Sequence, residues 1–176
     1  MQKKRIVLAV LIVLGIFFVV GATLIAVRIF TPNISPLPEA IQKQLSFSAL
    51  VVPEDNEDLK TSDIRFESVE DGTRVLSYTI TLQDRKVLVS QYPQPSQFND
   101  VEGYRERFLD NVIQQTSSIS TAGGTVFLGQ MAKQENKPMA VLLEKGLIVF
   151  MAPDQSLSED QWRMIGDELM LVKPAR

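Results

Sequence analysis

Histidine and cysteine are both absent from the 176 residues. The commonest general base, the commonest metal ligand and the thiol nucleophile are therefore missing together. What remains is carboxylate, serine, lysine and tyrosine chemistry. The densest carboxylate run is Glu54-Asp55-Asn56-Glu57-Asp58. A 12-residue calcium loop needs ligands at alternating positions, a glycine at the sixth and a glutamate at the twelfth. This run has no glycine, so it reads as a solvated acidic loop. Serines and lysines are numerous, but no serine sits in a G-x-S-x-G turn, the strained elbow that exposes a nucleophile. Gly123-Gly124 precedes a strand pattern instead of joining a strand to a helix, so it reads as a turn and not as a phosphate cradle. No catalytic residue, metal ligand or cofactor is expected, and the chain reads as non-enzymatic.

Aromatic residues offer a different kind of chemistry. Tyr104 and Trp162 fall at core spacings on helix patterns, whereas Tyr92 and Phe98 flank a loop punctuated by Pro93 and Pro95. A ring presented between prolines is a docking feature. Tyr92, Pro93, Pro95 and Phe98 are therefore the partner-binding candidates.

The elements that position this loop follow from periodicity. Arg74 to Leu82 alternates Val75, Ser77, Thr79, Thr81 with Leu76, Tyr78, Ile80, Leu82, which gives a strand with one polar and one apolar face. Asp63 to Val69 and Lys86 to Tyr92 are its expected neighbours in an antiparallel meander, joined at Glu70-Asp71-Gly72 and Gln83-Asp84-Arg85. Asn99 or Asp100 is expected to cap a helix running to about Gln115, with Val101, Tyr104, Phe108, Leu109, Val112 and Ile113 as its stripe. Thr116 to Gly124 is a small-residue stretch with a short strand near Ile119. Thr125 to Met131, Met139 to Leu143 and Leu147 to Met151 are expected strands, the last two joined at Glu144-Lys145-Gly146. Ser158-Glu159-Asp160-Gln161 has the form of a capping box and opens a final helix with Trp162, Ile165, Leu169 and Val172 inward.

Superposing residues 81 to 112 on residues 141 to 172, a shift of 60, gives seven identities, among them Val89/Val149, Pro93/Pro153 and Leu109/Leu169. Each half then reads as a meander followed by a helix laid on its apolar face. The expected fold is α+β: an antiparallel meander sheet with two packed amphipathic helices in two layers, arranged as a pseudo-two-fold repeat.

Ahead of this domain stands an uncharged apolar run of 22 residues, Ile6 to Val27. At about 1.5 Å per helical residue it reaches roughly 33 Å, enough for a hydrocarbon core of about 30 Å. Lys3, Lys4 and Arg5 precede it and Arg28 alone follows closely. The positive-inside rule puts the amino terminus in the cytoplasm. Val20-Gly21-Ala22 has the look of a signal-peptidase site, but apolar character continues through Val27, beyond the 7–15 residues of an ordinary signal. The expected organisation is a cytoplasmic tail at 1–5, a single transmembrane signal anchor at 6–28, a spacer with Pro32, Pro36, Pro38 and a short helix at 29–46, and an extracytoplasmic domain at 47–176.

Four of the 18 basic residues belong to the anchor region, which leaves 14 against 21 acidic ones in the exported part. A net charge near −7 gives no footprint for nucleic acid. Exported domains of animals are commonly disulfide-linked, so the lack of cysteine points to a bacterial or archaeal envelope. In its organisation the chain resembles single-span bacterial envelope proteins that carry a small extracytoplasmic α+β domain of unknown activity. That resemblance covers the layout and no specific motif. It implies a membrane-anchored protein whose outward domain binds another envelope protein or supports assembly of a membrane complex. Small-ligand sensing is the alternative, and a hydrolase using carboxylates or Ser-Lys comes after it.

Overall fold

The computed structural model describes residues 36–175 apart from Glu135. The expected cytoplasmic tail, the span at 6–28 and the cations Lys3, Lys4, Arg5 and Arg28 lie outside the described residues. Among the described residues no helix is long and apolar enough to cross a membrane.

Nine strands and four helices follow one another in the described chain. They are α1 (Glu39–Gln44), β1 (Ala49–Val51), β2 (Leu59–Ser68), β3 (Arg74–Leu82), β4 (Arg85–Pro93), α2 (Gln97–Asp100), α3 (Tyr104–Val112), β5 (Ile113–Thr121), β6 (Gly124–Met131), β7 (Pro138–Glu144), β8 (Leu147–Pro153), α4 (Glu159–Glu168) and β9 (Met170–Val172). Seven of the strands form one antiparallel sheet in the order β2-β3-β4-β8-β7-β6-β5, so the two meanders join through β4 and β8. β1 and β9 make a separate two-stranded ribbon, Ala49 opposite Val172.

Successive side chains of a strand point to opposite faces, and here both faces are apolar over part of the sheet. On one face a core of 27 buried residues runs from Leu59 and Phe66 through Leu76, Tyr78, Val89 and Met151 to Val126 and Ile119. The ribbon, α1 and α4 cover it, with Trp162, Ile165 and Leu169 entering from α4 and its neighbour. On the other face a core of six buried residues, among them Leu109, Val141, Leu143 and Ile148, is covered among the described residues by α2 and α3, with Phe98, Phe108 and Val112 packed at its margin. Its remaining area, over β2, β3 and β4, presents Ser77, Thr79, Thr81, Lys86 and Ser90 to water, and Leu88 stands 52% exposed among them.

The two long helices therefore lie on opposite faces, which corrects the expected two-layer arrangement. A two-fold axis exchanging antiparallel neighbours must stand perpendicular to the sheet, and such an axis keeps each helix on the same face. The offsets disagree as well. The hairpin turns, Gln83-Asp84 and Lys145-Gly146, and the N-caps, Ser96 and Ser158, are each 62 residues apart, not 60.

Local chemistry explains the other departures. The helix expected from Asn99 to Gln115 is broken: Val101 is extended and 42% exposed, and Gly103 takes a left-handed φ of 66° before α3 begins. It also ends at Val112, and Ile113 to Gln115 already belong to β5. β2 begins four residues before Asp63 because Leu59 is anchored in the large core. Val172, expected on the last helix, sits in β9. The capping box forms as expected: the Gln161 N–H donates to Ser158 Oγ at 3.3 Å, and the Ser158 N–H donates to Gln161 Oε1 at 3.0 Å.

One buried polar residue ties the ribbon to the sheet. Gln91 is fully buried; its Oε1 accepts from the Leu50 N–H at 2.7 Å and its Nε2 donates to the Leu50 carbonyl at 2.6 Å. The Tyr78 hydroxyl donates to the same carbonyl at 2.8 Å, and burial pushes that phenol well above its ordinary range. A backbone unit turned away from β9 is thus fully satisfied inside the core.

Candidate functional site: the β5 edge and its cleft

An edge strand exposes a row of backbone donors and acceptors, and proteins normally guard it with charge, proline or a bulge. The two edges of this sheet are β2 and β5. β2 is guarded by Lys60, Asp63, Arg65 and Glu67, and by an irregularity between Ser62 and Arg65 where Asp63 takes a φ of 54°. β5, Ile-Gln-Gln-Thr-Ser-Ser-Ile-Ser-Thr, carries no charge and no proline, and a bulge between Gln115 and Ser117 is its one guard.

This neutrality extends beyond the strand. Asn111 to Ala132 is a run of 22 residues without Asp, Glu, Lys or Arg, which takes in all of β5, its turn and β6. Gln114 to Ser118 are all exposed. A bulge between Gln115 and Ser117 switches the faces of β5: Ile113 belongs to the small core and Ile119 to the large one. The Thr116 hydroxyl donates to the Leu128 carbonyl at 3.2 Å within that bulge.

The far end of β5 is closed by α4. Arg163 Nη1 donates to the Ser120 carbonyl at 3.1 Å while its Nη2 pairs with Glu159 at 3.0 Å, and Asp167 Oδ1 accepts from the Ala122 N–H at 2.7 Å. Gly166 permits the approach, since a Cβ there would stand 2.6 Å from Thr121. Between the bulge and the first turn of α4 lies a cleft of about 320 Å³, lined by Thr116, Ser117, Gln130, Asn136, Glu159 and Trp162 among others. The site thus combines a free strand edge over its first two thirds with a mostly polar recess beside it. Its chemistry is hydrogen bonding to an extended chain, with room for one side chain.

The sequence-derived candidates lie elsewhere, and all four have contacts within the chain, the Pro95 carbonyl accepting from the Phe98 N–H at 3.1 Å. Tyr92, next to last in β4, lies half-buried against Phe150, with ring centroids 6.0 Å apart. Burial raises its phenol, and Tyr104 adds to the effect. The Phe98 ring is held edge-on by Tyr104 at 5.2 Å and Phe108 at 5.1 Å. Pro93 and Pro95 are exposed, although Pro93 pairs with Leu147 and the adjoining Gln94 donates from its backbone to Gly146 and from its side chain to Leu147. The structure brings these four residues to one end of the small core, on a different part of the sheet from the β5 edge.

The acidic loop is likewise engaged. Asn56 Oδ1 accepts from the N–H groups of Asp58 and Leu59 at 3.0 and 2.8 Å, and its Nδ2 donates to Glu168 at 2.8 Å. Among the described residues no group of three or more carboxylates is placed to hold a metal ion. Gly123 is a packing turn whose N–H donates to the Gly166 carbonyl at 3.0 Å. The β5 edge itself was missed by motif reasoning; the signal that marks it is the 22-residue gap in charge. Comparison with known protein families, curated proteins and solved structures finds no match to this chain.

Proposed function

We propose that the chain is a non-enzymatic, membrane-anchored envelope protein whose extracytoplasmic domain docks a protein by strand addition along β5. The membrane part of this reading rests on the apolar run at 6–27 and its flanking cations. The docking part rests on one observation: β5 is an exposed sheet edge without charge in a chain where 22% of residues are charged. The Tyr92 to Phe98 loop is the weaker candidate, because its aromatic rings already pack against Phe150, Tyr104 and Phe108.

Site-specific photo-crosslinking in intact cells tests this reading on the full-length chain. A photo-reactive residue at Ser118 is expected to give discrete adducts, whereas the same residue at Ser62 on β2 or at Pro95 gives none. Adducts from Pro95 alone would move the site to the loop, and silence at Ser118 would sink the β5 reading. A second reading, ligand sensing, draws on the cleft of about 320 Å³, a volume within the range that holds small molecules. It predicts that a bulky Ser117→Trp change abolishes a thermal shift produced by a small polar ligand while leaving Ser118 adducts unchanged.

A further inference from the structure

We infer that the occupant of the β5 edge is the β5 edge of a second copy of this chain, paired antiparallel about a two-fold axis. This rests on the docking reading above and names its partner. The exported part has 14 basic and 21 acidic residues, so two copies repel across most of their surfaces. The hairpin from Asn111 to Ala132 is the one long stretch of the described domain that brings no charge to the contact. Self-pairing there buries no like-charged pair, whereas self-pairing of β2 would carry Lys60, Asp63, Arg65 and Glu67 into the joint.

Symmetry adds a second reason. A two-fold axis places identical strands antiparallel and requires a self-complementary surface. Gln114, Gln115, Thr116, Ser117 and Ser118 satisfy this, since each hydroxyl or amide side chain both donates and accepts and so matches its own kind. Arg163 and Asp167 close the strand from Ser120 onward, so the axis passes within Gln114 to Ser118, where the bulge between Gln115 and Ser117 keeps the ladder short on each side. The seven strands of one copy then continue into the seven of the other, and both clefts open on the same side of the joint. So short a joint is weak alone. Two copies anchored in one membrane meet at a high effective concentration, which is what a short joint needs.

The lack of cysteine makes the test direct. Single-cysteine variants of the full-length chain, from Gln114→Cys to Ser118→Cys, are oxidised mildly in native membranes, with Ser62→Cys on β2 as the control. Homodimer yield is expected to peak at one β5 position, about tenfold above the control, and to fall on either side of it. Adding Ser118→Lys to the Gln115→Cys variant is expected to remove the dimer, and protease resistance verifies that the domain stays folded. Equal yields on β2 and β5, or no β5 homodimer, overturn self-pairing. If Ser118 adducts to a different protein appear in that case, docking at β5 stands and only its partner changes. If those adducts are missing too, both readings fall.

Discussion

The two apolar layers of this sheet are built on different plans. The layer under the ribbon and α4 draws 27 buried residues from most of the elements, while the layer under α3 draws six from four. In the first, a buried glutamine and a buried tyrosine fix the covering ribbon to the sheet through hydrogen bonds to Leu50. In the second, the cover is held by aromatic edge contacts around Phe98 and Phe108 and by Arg105, whose Nη2 donates to the Leu143 carbonyl at 3.2 Å. A broad core with fixed hydrogen bonds specifies one arrangement; a narrow aromatic one tolerates adjustment. Global stability should therefore reside in the first layer, and local opening should begin in the second.

Substitutions can break that comparison. Ile165→Ala, in the large core at full burial, is expected to cost about 4 kcal/mol in denaturant unfolding. Phe108→Ala at the margin of the small core should cost about 2 kcal/mol, because its ring is only partly buried. Equal losses would mean that the two layers share one cooperative unit and that the contrast is only one of area. Gln91→Leu keeps the volume but leaves the Leu50 N–H without its acceptor. A loss of about 2 kcal/mol is expected, with hydrogen exchange rising first in β1 and β9. Faster exchange in α3 instead would place the weak point on the wrong face.

The smallest expected effect is alkaline. Burial raises the Tyr78 phenol above its ordinary value of 10.0, so the neutral form is favoured by folding. Its contribution is complete below pH 10 and declines above it, as the unfolded phenol ionises and the buried one does not. Tyr78→Phe should flatten the fall in stability above pH 10 more than Tyr92→Phe does, since Tyr92 is only half-buried on the other face. The opposite ranking would reverse the assignment of rigidity to the large core.

Much of this framework was legible because particular residues announce it. The alternation in β3, the Lys145-Gly146 turn with φ values of 54° and 74°, and the Ser158 capping box each have a local physical cause, so local sequence reveals them. The placement of the helices on opposite faces was not legible. An amphipathic stripe such as Leu109 with Val112 says that one side of a helix is covered, and nothing in it says which side of the sheet does the covering. The full length of β5 was hidden for a related reason. Gln114 to Ser118 form an edge wetted on both faces, so no apolar alternation marks them as strand. Of the candidate site, only the missing charge was visible; the bulge and the cleft arise from chain segments far apart in sequence. Phe98 looked available because its partners Tyr104 and Phe108 lie beyond a break that periodicity overlooks.

The pairing of β1 with β9 carries a consequence in time. Ala49 leaves the ribosome well before Val172, the residue it pairs with. At about 5–20 residues per second, on the order of ten seconds pass before the first strand of the ribbon has its partner. Throughout that interval Gln91 and Tyr78 have only half a ribbon to hold, and the apolar face beneath it is open to other chains. A nascent chain stalled before Met170 would therefore be a sticky intermediate, and the arrival of β9 acts as the latch that ends its exposure.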